Sequence, residues 1–190
     1  MGCDISVFLE IDKGDEAPFS SPFTTSIGSG EFLAIDRNYS LFAALAGVRN
    51  DGSIINPVKP RGIPPNLSWK HIPYFFIPIK EETGHLPAQL WYAWNQKEYY
   101  SRKEAEKYVK NGSVSYNQPL MDQQLKAGQL ITQLDTHSFS WLLLEEIKSA
   151  IALNDLTIKD ENLLILLSTM EIIEQRIGAG RTRMLFYFNN

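Results

Sequence analysis

Cys3, Ile5, Val7, Leu9 and Ile11 alternate with Asp4, Ser6, Phe8 and Glu10. A period of two is the signature of a β-strand, whose successive side chains point to opposite faces. The other end of the chain repeats the pattern. Thr182, Met184, Phe186 and Phe188 form one set, and Arg183, Leu185, Tyr187 and Asn189 the other. Ends of chains fray unless they are tied down, so both segments are expected inside one sheet, where their polar tips help to build a site. Strands at the two ends with helices between argue against a regular βαβ repeat. The expected fold is α+β: a mostly antiparallel sheet containing both terminal strands, packed by two helices from the C-terminal half.

Between these strands the punctuation is clear in places. Residues 16–30 are rich in Ser, Thr, Pro and Gly and read as loop, and Glu31–Ile35 as a short second strand. Tyr39–Val48 reads as an apolar helix, with Asn38 or Ser40 as its cap and Gly47 near its end. Residues 50–68 form a long proline-rich connection, and connections of that length are usually functional or disordered. His71–Ile79 reads as an edge strand or extended segment between prolines. Ser101-Arg102-Lys103-Glu104 has the pattern of a capping box. Ser140 is expected to cap a helix over 141–153. A second helix over 160–177 carries Leu and Ile on several faces and is expected to be largely buried. Residues 1–190 suit a single domain, with 70–125 as an inserted aromatic-rich lobe.

Composition narrows the function classes. A net charge of −4 disfavours a nonspecific grip on duplex nucleic acid, so an anion must be met by local arginines. The one cysteine, Cys3, rules out an internal disulfide and paired-cysteine zinc sites, and no metal or cofactor is expected. Neither a secretory leader nor a membrane-spanning stretch is recognisable, so a cytoplasmic protein without a membrane partner is expected. Met1-Gly2-Cys3-Asp4-Ile5-Ser6 also fits a myristoylation pattern. The alternation starting at Cys3 leaves no flexible arm for that modification.

Four groups carry candidate chemistry. Arg37-Asn38-Tyr39 precedes the first helix, where donors and free amides suit an anion; the alternative is that Arg37 pairs with Asp36 or Glu31 while Asn38 caps. Arg61 sits among stiffening residues, and its fork matches phosphate or carboxylate oxygens; the alternative is that it ties down the long loop. Asp135-Thr136-His137-Ser138-Phe139-Ser140-Trp141 sets a histidine near an acid and hydroxyls. A hydrogen-bonded turn beside a helix cap explains the same residues. Arg183, Tyr187 and Asn189 share a strand face that is either the polar side of a pocket or solvated. The aromatic stretch from Trp91 to Tyr100 suits a packed lobe, a base-stacking surface or an oligomer contact.

Met1–Ser6, Arg37–Asn50, Arg61–Pro64, His137–Leu142 and the closing Arg183–Asn190 together resemble a family of uncharacterised phage and bacterial proteins. This chain departs from the family pattern at Ser6, where a histidine is usual, and at Asn189, where an aspartate is usual. Those are two groups a hydrolase would need, so the departures weaken an enzymatic reading. The resemblance implies a phage setting in a bacterial host, in which counter-defence by capture of an immune signalling nucleotide is attractive. The reading favoured here is a binding protein that sequesters a small anionic, nucleotide-like ligand. Arg37, Arg61 and Arg183 take phosphate, His137 and Ser138 make polar contacts, Tyr39 or Trp141 stacks, and Asn38 and Asn189 complete the set. Two alternatives stay open: a nucleotide phosphodiesterase using His137 with Asp135, and a protein–protein inhibitor using the 90–100 stretch. A homo-oligomer is among the expected partners.

Overall fold

Residues Asp4–Ile11 form the strand that their alternation predicts, β1, and it pairs antiparallel with neighbours on both sides. The computed structural model describes residues 2–12, 14, 33–64, 67–68, 71–77, 131–132 and 136–189. On one side of β1 lies the short β2 (Leu33–Ile35), with Ser6 opposite Ala34. On the other side lies the last strand. In chain order the remaining elements are α1 (Tyr39–Ala46), α2 (Ile72–Phe75), β3 (Phe76–Ile77), β4 (Ile131–Thr132), β5 (Thr136–Leu143), α3 (Leu144–Leu153), α4 (Glu161–Ile177) and β6 (Thr182–Asn189). The main sheet runs β2-β1-β6-β5, so the fold is α+β with the first and last strands side by side at its centre.

The chain divides into two units. One comprises Met1–Asn66 with Ser138–Asn190, and the other Leu67–His137. In the second unit, α2 is a single turn, with Tyr74 N–H donating to the His71 carbonyl at 3.0 Å. It leads into β3, which pairs antiparallel with β4, Phe76 opposite Thr132. The expected extended segment from His71 is thus helical up to Phe75, because a Ser68–His71–Tyr74 series of backbone bonds closes successive turns. The capping box at Ser101 and the stretch from Trp91 to Tyr100 lie outside the described residues.

In the first unit the core fills the space between one face of the sheet and three helices. Ile5, Val7 and Leu9 of β1 and Met184, Phe186 and Phe188 of β6 meet Leu41, Phe42 and Leu45 of α1, Ile147 of α3, and Leu163, Leu166 and Met170 of α4. The Phe42 and Phe188 rings pack edge to face at 5.2 Å, an arrangement favoured by their quadrupoles. α1 starts where the Asn38 side chain accepts the Leu41 N–H at 3.0 Å. It stops at Gly47, whose φ of 69° lets its N–H reach the Ala43 carbonyl. Asp160 caps α4 in the same way, accepting from Leu163 N–H at 2.7 Å.

Two expectations are corrected here. The helix expected from 141 starts at Leu144, because Thr136–Leu143 continue as strand beside β6. Ser140, expected as the cap, instead accepts the Arg61 backbone N–H at 3.0 Å. Glu146 takes the capping role by accepting the Leu143 N–H. Helix α4 is not largely buried: Leu163, Leu166 and Met170 face the core, whereas Leu164, Ile165, Ile172 and Ile177 are exposed. Among the described residues, no helix is long and apolar enough to cross a membrane.

Candidate functional site

An open groove of about 480 Å³ lies between the segment that leaves β2 for α1, Ile35–Leu41, and the segment that enters α4, Thr157–Asp160. Asp160 joins its two walls. One carboxylate oxygen caps α4, while the other accepts the Asp36 N–H at 2.6 Å. The groove carries Arg37, Asn38 and Tyr39 from the expected set, together with Thr157 and Lys159. Tyr39 is 43% exposed, and its ring is braced edge-on by Phe42. The Arg49 guanidinium stands 5.8 Å from that ring.

Arg37 pairs with Asp4 rather than with Asp36, and Glu31 lies outside the described residues. Its Nε and one terminal nitrogen donate to the two carboxylate oxygens at 2.5 and 2.9 Å. This bond to Arg37 holds the Asp4 carboxyl below its ordinary range, and the same bond raises the arginine. Both side chains are more than half exposed, at 54% and 57%. Gly2 makes the arrangement sterically possible, because a Cβ there would stand 2.1 Å from the guanidinium.

The second face of the sheet carries the other expected residues of this unit. Glu10 and Arg183 lie directly opposite each other on β1 and β6. Arg183 donates from Nε at 2.8 Å and from a terminal nitrogen at 2.5 Å, and both side chains are almost fully buried, at 2% and 0%. Burial pushes the arginine down from its usual range, and the Glu10 charge opposes that push. The Arg183 guanidinium is 5.7 Å from the half-buried Trp141 ring, and Arg61 stacks on the same ring at 4.4 Å. Arg61 is held there by a two-pronged bond to Glu146. Arg61 therefore ties down the long loop through a carboxylate. Asn56 and Asn154 anchor the same loop to the ends of α1 and α3.

At the other end of this face, the Ser6 hydroxyl meets the Asn189 amide at 3.4 Å and the Tyr187 phenol. Ser6 and Asn189 are thus neighbours across β1 and β6, and both are neutral. This face is not solvated, since Ser6, Phe8, Glu10, Arg183, Leu185 and Tyr187 are all buried. His137 is buried too, and it lies in strand rather than in the expected hydrogen-bonded turn. Ser138 takes φ 53° within the same strand, a conformation that is uncommon outside glycine and costs roughly 1–3 kcal/mol. Asp135 lies outside the described residues.

The structure separates the three arginines expected to take phosphate. Arg61 and Arg183 flank Trp141, whereas Arg37 stands by Asp4. Asp4 and Glu10 are six residues apart on one strand, about 20 Å by the usual rise. Two carboxylates, Glu10 and Glu146, hold guanidiniums that the sequence reading had assigned to ligand. Lys159 was also missed; its signal was its place next to the cap of a helix. Among the described residues, no group of three His, Cys, Asp or Glu side chains stands ready for a metal. Comparison of the chain with family models, with curated proteins and with solved structures gives no match.

Proposed function

We propose that the protein binds and sequesters a small anionic, nucleotide-like ligand, and that the groove before α1 and α4 is where it does so. The observation that carries this reading is the groove itself. It has the volume of a small-molecule site, two cations in Arg37 and Lys159, and an exposed aromatic ring in Tyr39. The difference in burial between Arg37 and Arg183 supports the groove over the Trp141 side of the sheet. An exposed ion pair contributes only about 0–1 kcal/mol, so Arg37 can exchange Asp4 for a phosphate at little cost. Breaking a buried pair costs about 3–5 kcal/mol, which argues against Arg183 as a ligand contact. The setting implied by the family resemblance, capture of an immune signalling nucleotide by a phage protein in a bacterial cytoplasm, belongs to this proposal and rests on the resemblance.

Incubation with a panel of cyclic and ADP-ribose-type nucleotides, followed by heating and chromatography, tests the reading. A binder releases its ligand intact; new products would mark an enzyme. Arg37→Ala and Lys159→Ala should each weaken binding by about tenfold, the loss expected for one charge-assisted contact. Their melting temperatures should stay near that of the parent. Depletion of no nucleotide in the panel, or unchanged affinity in both variants, would overturn the groove as the site.

A further inference from the structure

The outward side of α4 has an order that neither its core packing nor the groove uses. Glu161, Ile165, Ser168, Ile172 and Gln175 recur at alternating steps of four and three, the spacing of a coiled-coil seam. They lie opposite Leu163, Leu166 and Met170, which face the core. Ile165 and Ile172 are each 56% exposed, and Leu164 flanks them at 44%. Exposed helix positions gain nothing from isoleucine by propensity, and two of them in one seam offer an apolar contact to a partner.

From this seam we infer that the protein forms a symmetric homodimer in which α4 packs antiparallel against α4 of a second copy. The charges choose the partner and its direction. Glu161 is in the first turn of α4 and Arg176 in the last, and neither forms an ion pair with a described residue. When the helix is reversed about the point between Ser168 and Thr169, Ile165 meets Ile172 of the second copy and Glu161 meets Arg176 of the second copy, twice each. A parallel pairing would set Glu161 against Glu161. Two small residues at the centre let the helices approach closely. The Thr169 hydroxyl already donates to the Ile165 carbonyl at 2.7 Å, so closing the seam leaves that donor satisfied.

A 17-residue helix is about 25 Å long, so a contact confined to it falls at the low end of stable interface sizes. The dimer is therefore a weak one, of micromolar strength. Sedimentation velocity on the full chain from about 5 to 500 µM should show monomer passing to dimer. Ile172→Glu should remain monomeric throughout while keeping the parent's melting temperature. Glu161→Arg and Arg176→Glu should each weaken association by about tenfold, and the two together should restore it. A parent that stays monomeric at the highest concentration overturns the proposal and leaves the seam to a different protein. So does a dimer that survives Ile172→Glu, and so does a double reversal that fails to restore association, since only the antiparallel pairing brings these charges together.

Discussion

Glu10 and Arg183 face each other across β1 and β6 with almost no exposure, so neither can replace its partner with water. Glu10→Gln leaves a buried guanidinium short of its counter-charge and should cost about 3–5 kcal/mol in urea unfolding. Replacing both residues with methionine should cost less than either single change, because neither charge of the pair is left buried without the other. A Glu10→Gln loss under about 1 kcal/mol would mean that the pair is solvated after all. Tyr187, on the same face, has its phenol pushed above its usual value of 10.0 by burial, with the Ser6 bond opposing. Above pH 10 the unfolded chain therefore releases this proton while the folded one retains it. Stability is full below that pH and declines as pH rises toward the folded value. Tyr187→Phe should flatten this alkaline decline, and melting curves from pH 8 to 11 read it directly.

The elements divide into those set by local signals and those overruled by packing. α1 has its cap at Asn38, its stop at Gly47 and an unbroken buried run from Leu41 to Ala46. Leu45, fully buried in the core, should cost about 2–5 kcal/mol as alanine. A loss under half a kcal/mol would put the helix on the surface. Asp160 does two tasks with its two oxygens, capping α4 and holding the Asp36 N–H. Asp160→Asn keeps a capping oxygen but has only one acceptor atom. It should thus loosen the groove wall while preserving α4, which amide exchange at Asp36 and Leu163 would separate. The start of α3 shows the opposite case. Ser140 carries a local cap signal, but the backbone there is already committed to the strand beside β6, and the helix begins only when the strand ends.

For the molecule as a whole, β6 is the strand that joins β1 to β5. Deleting residues 182–189 should abolish cooperative unfolding, because the chain then loses six fully buried side chains and the partner of every β1 residue from Asp4 to Ile11. A soluble truncation with the parent's melting temperature would contradict the central place of this strand. The start of β6 is fastened to the end of β1 at Asp12. Its backbone N–H donates to the Arg181 carbonyl at 2.8 Å, and its carboxylate takes the Gly14 N–H and the Arg181 side chain. The Gly14 bond first, and then Arg181, hold the Asp12 carboxyl below its usual 3.8. Asp4 is lowered in the same direction by Arg37. A lowered carboxylate stabilises the fold above the unfolded value, and that stability is lost as pH falls through the folded one. The melting temperature should therefore decline below about pH 4, and less steeply in Asp12→Asn.

What the chain declares on its own is what depends on near neighbours in sequence. The period-two runs at residues 3–11 and 182–188, the Asn38 cap and the Gly47 stop were legible because each is a signal between residues at most a few positions apart. They sufficed for the α+β class and for the apolar face of each strand. The pairing of charges was not legible. Asp4 and Arg37 are 33 residues apart, Arg61 and Glu146 85, Glu10 and Arg183 173. Each pair depends on the register of β1 with β2 or β6, or on where the long loop is anchored, and register comes from the summed packing of whole faces. The same holds for α4. Its composition marks it as apolar on several sides, but only packing against β6 and β2 selects Leu163, Leu166 and Met170 as core. Tertiary structure therefore decided that Arg183 is confined to the interior while Arg37 remains at the surface, because burial, a property of the assembled fold, sets the cost of exchanging a charged partner.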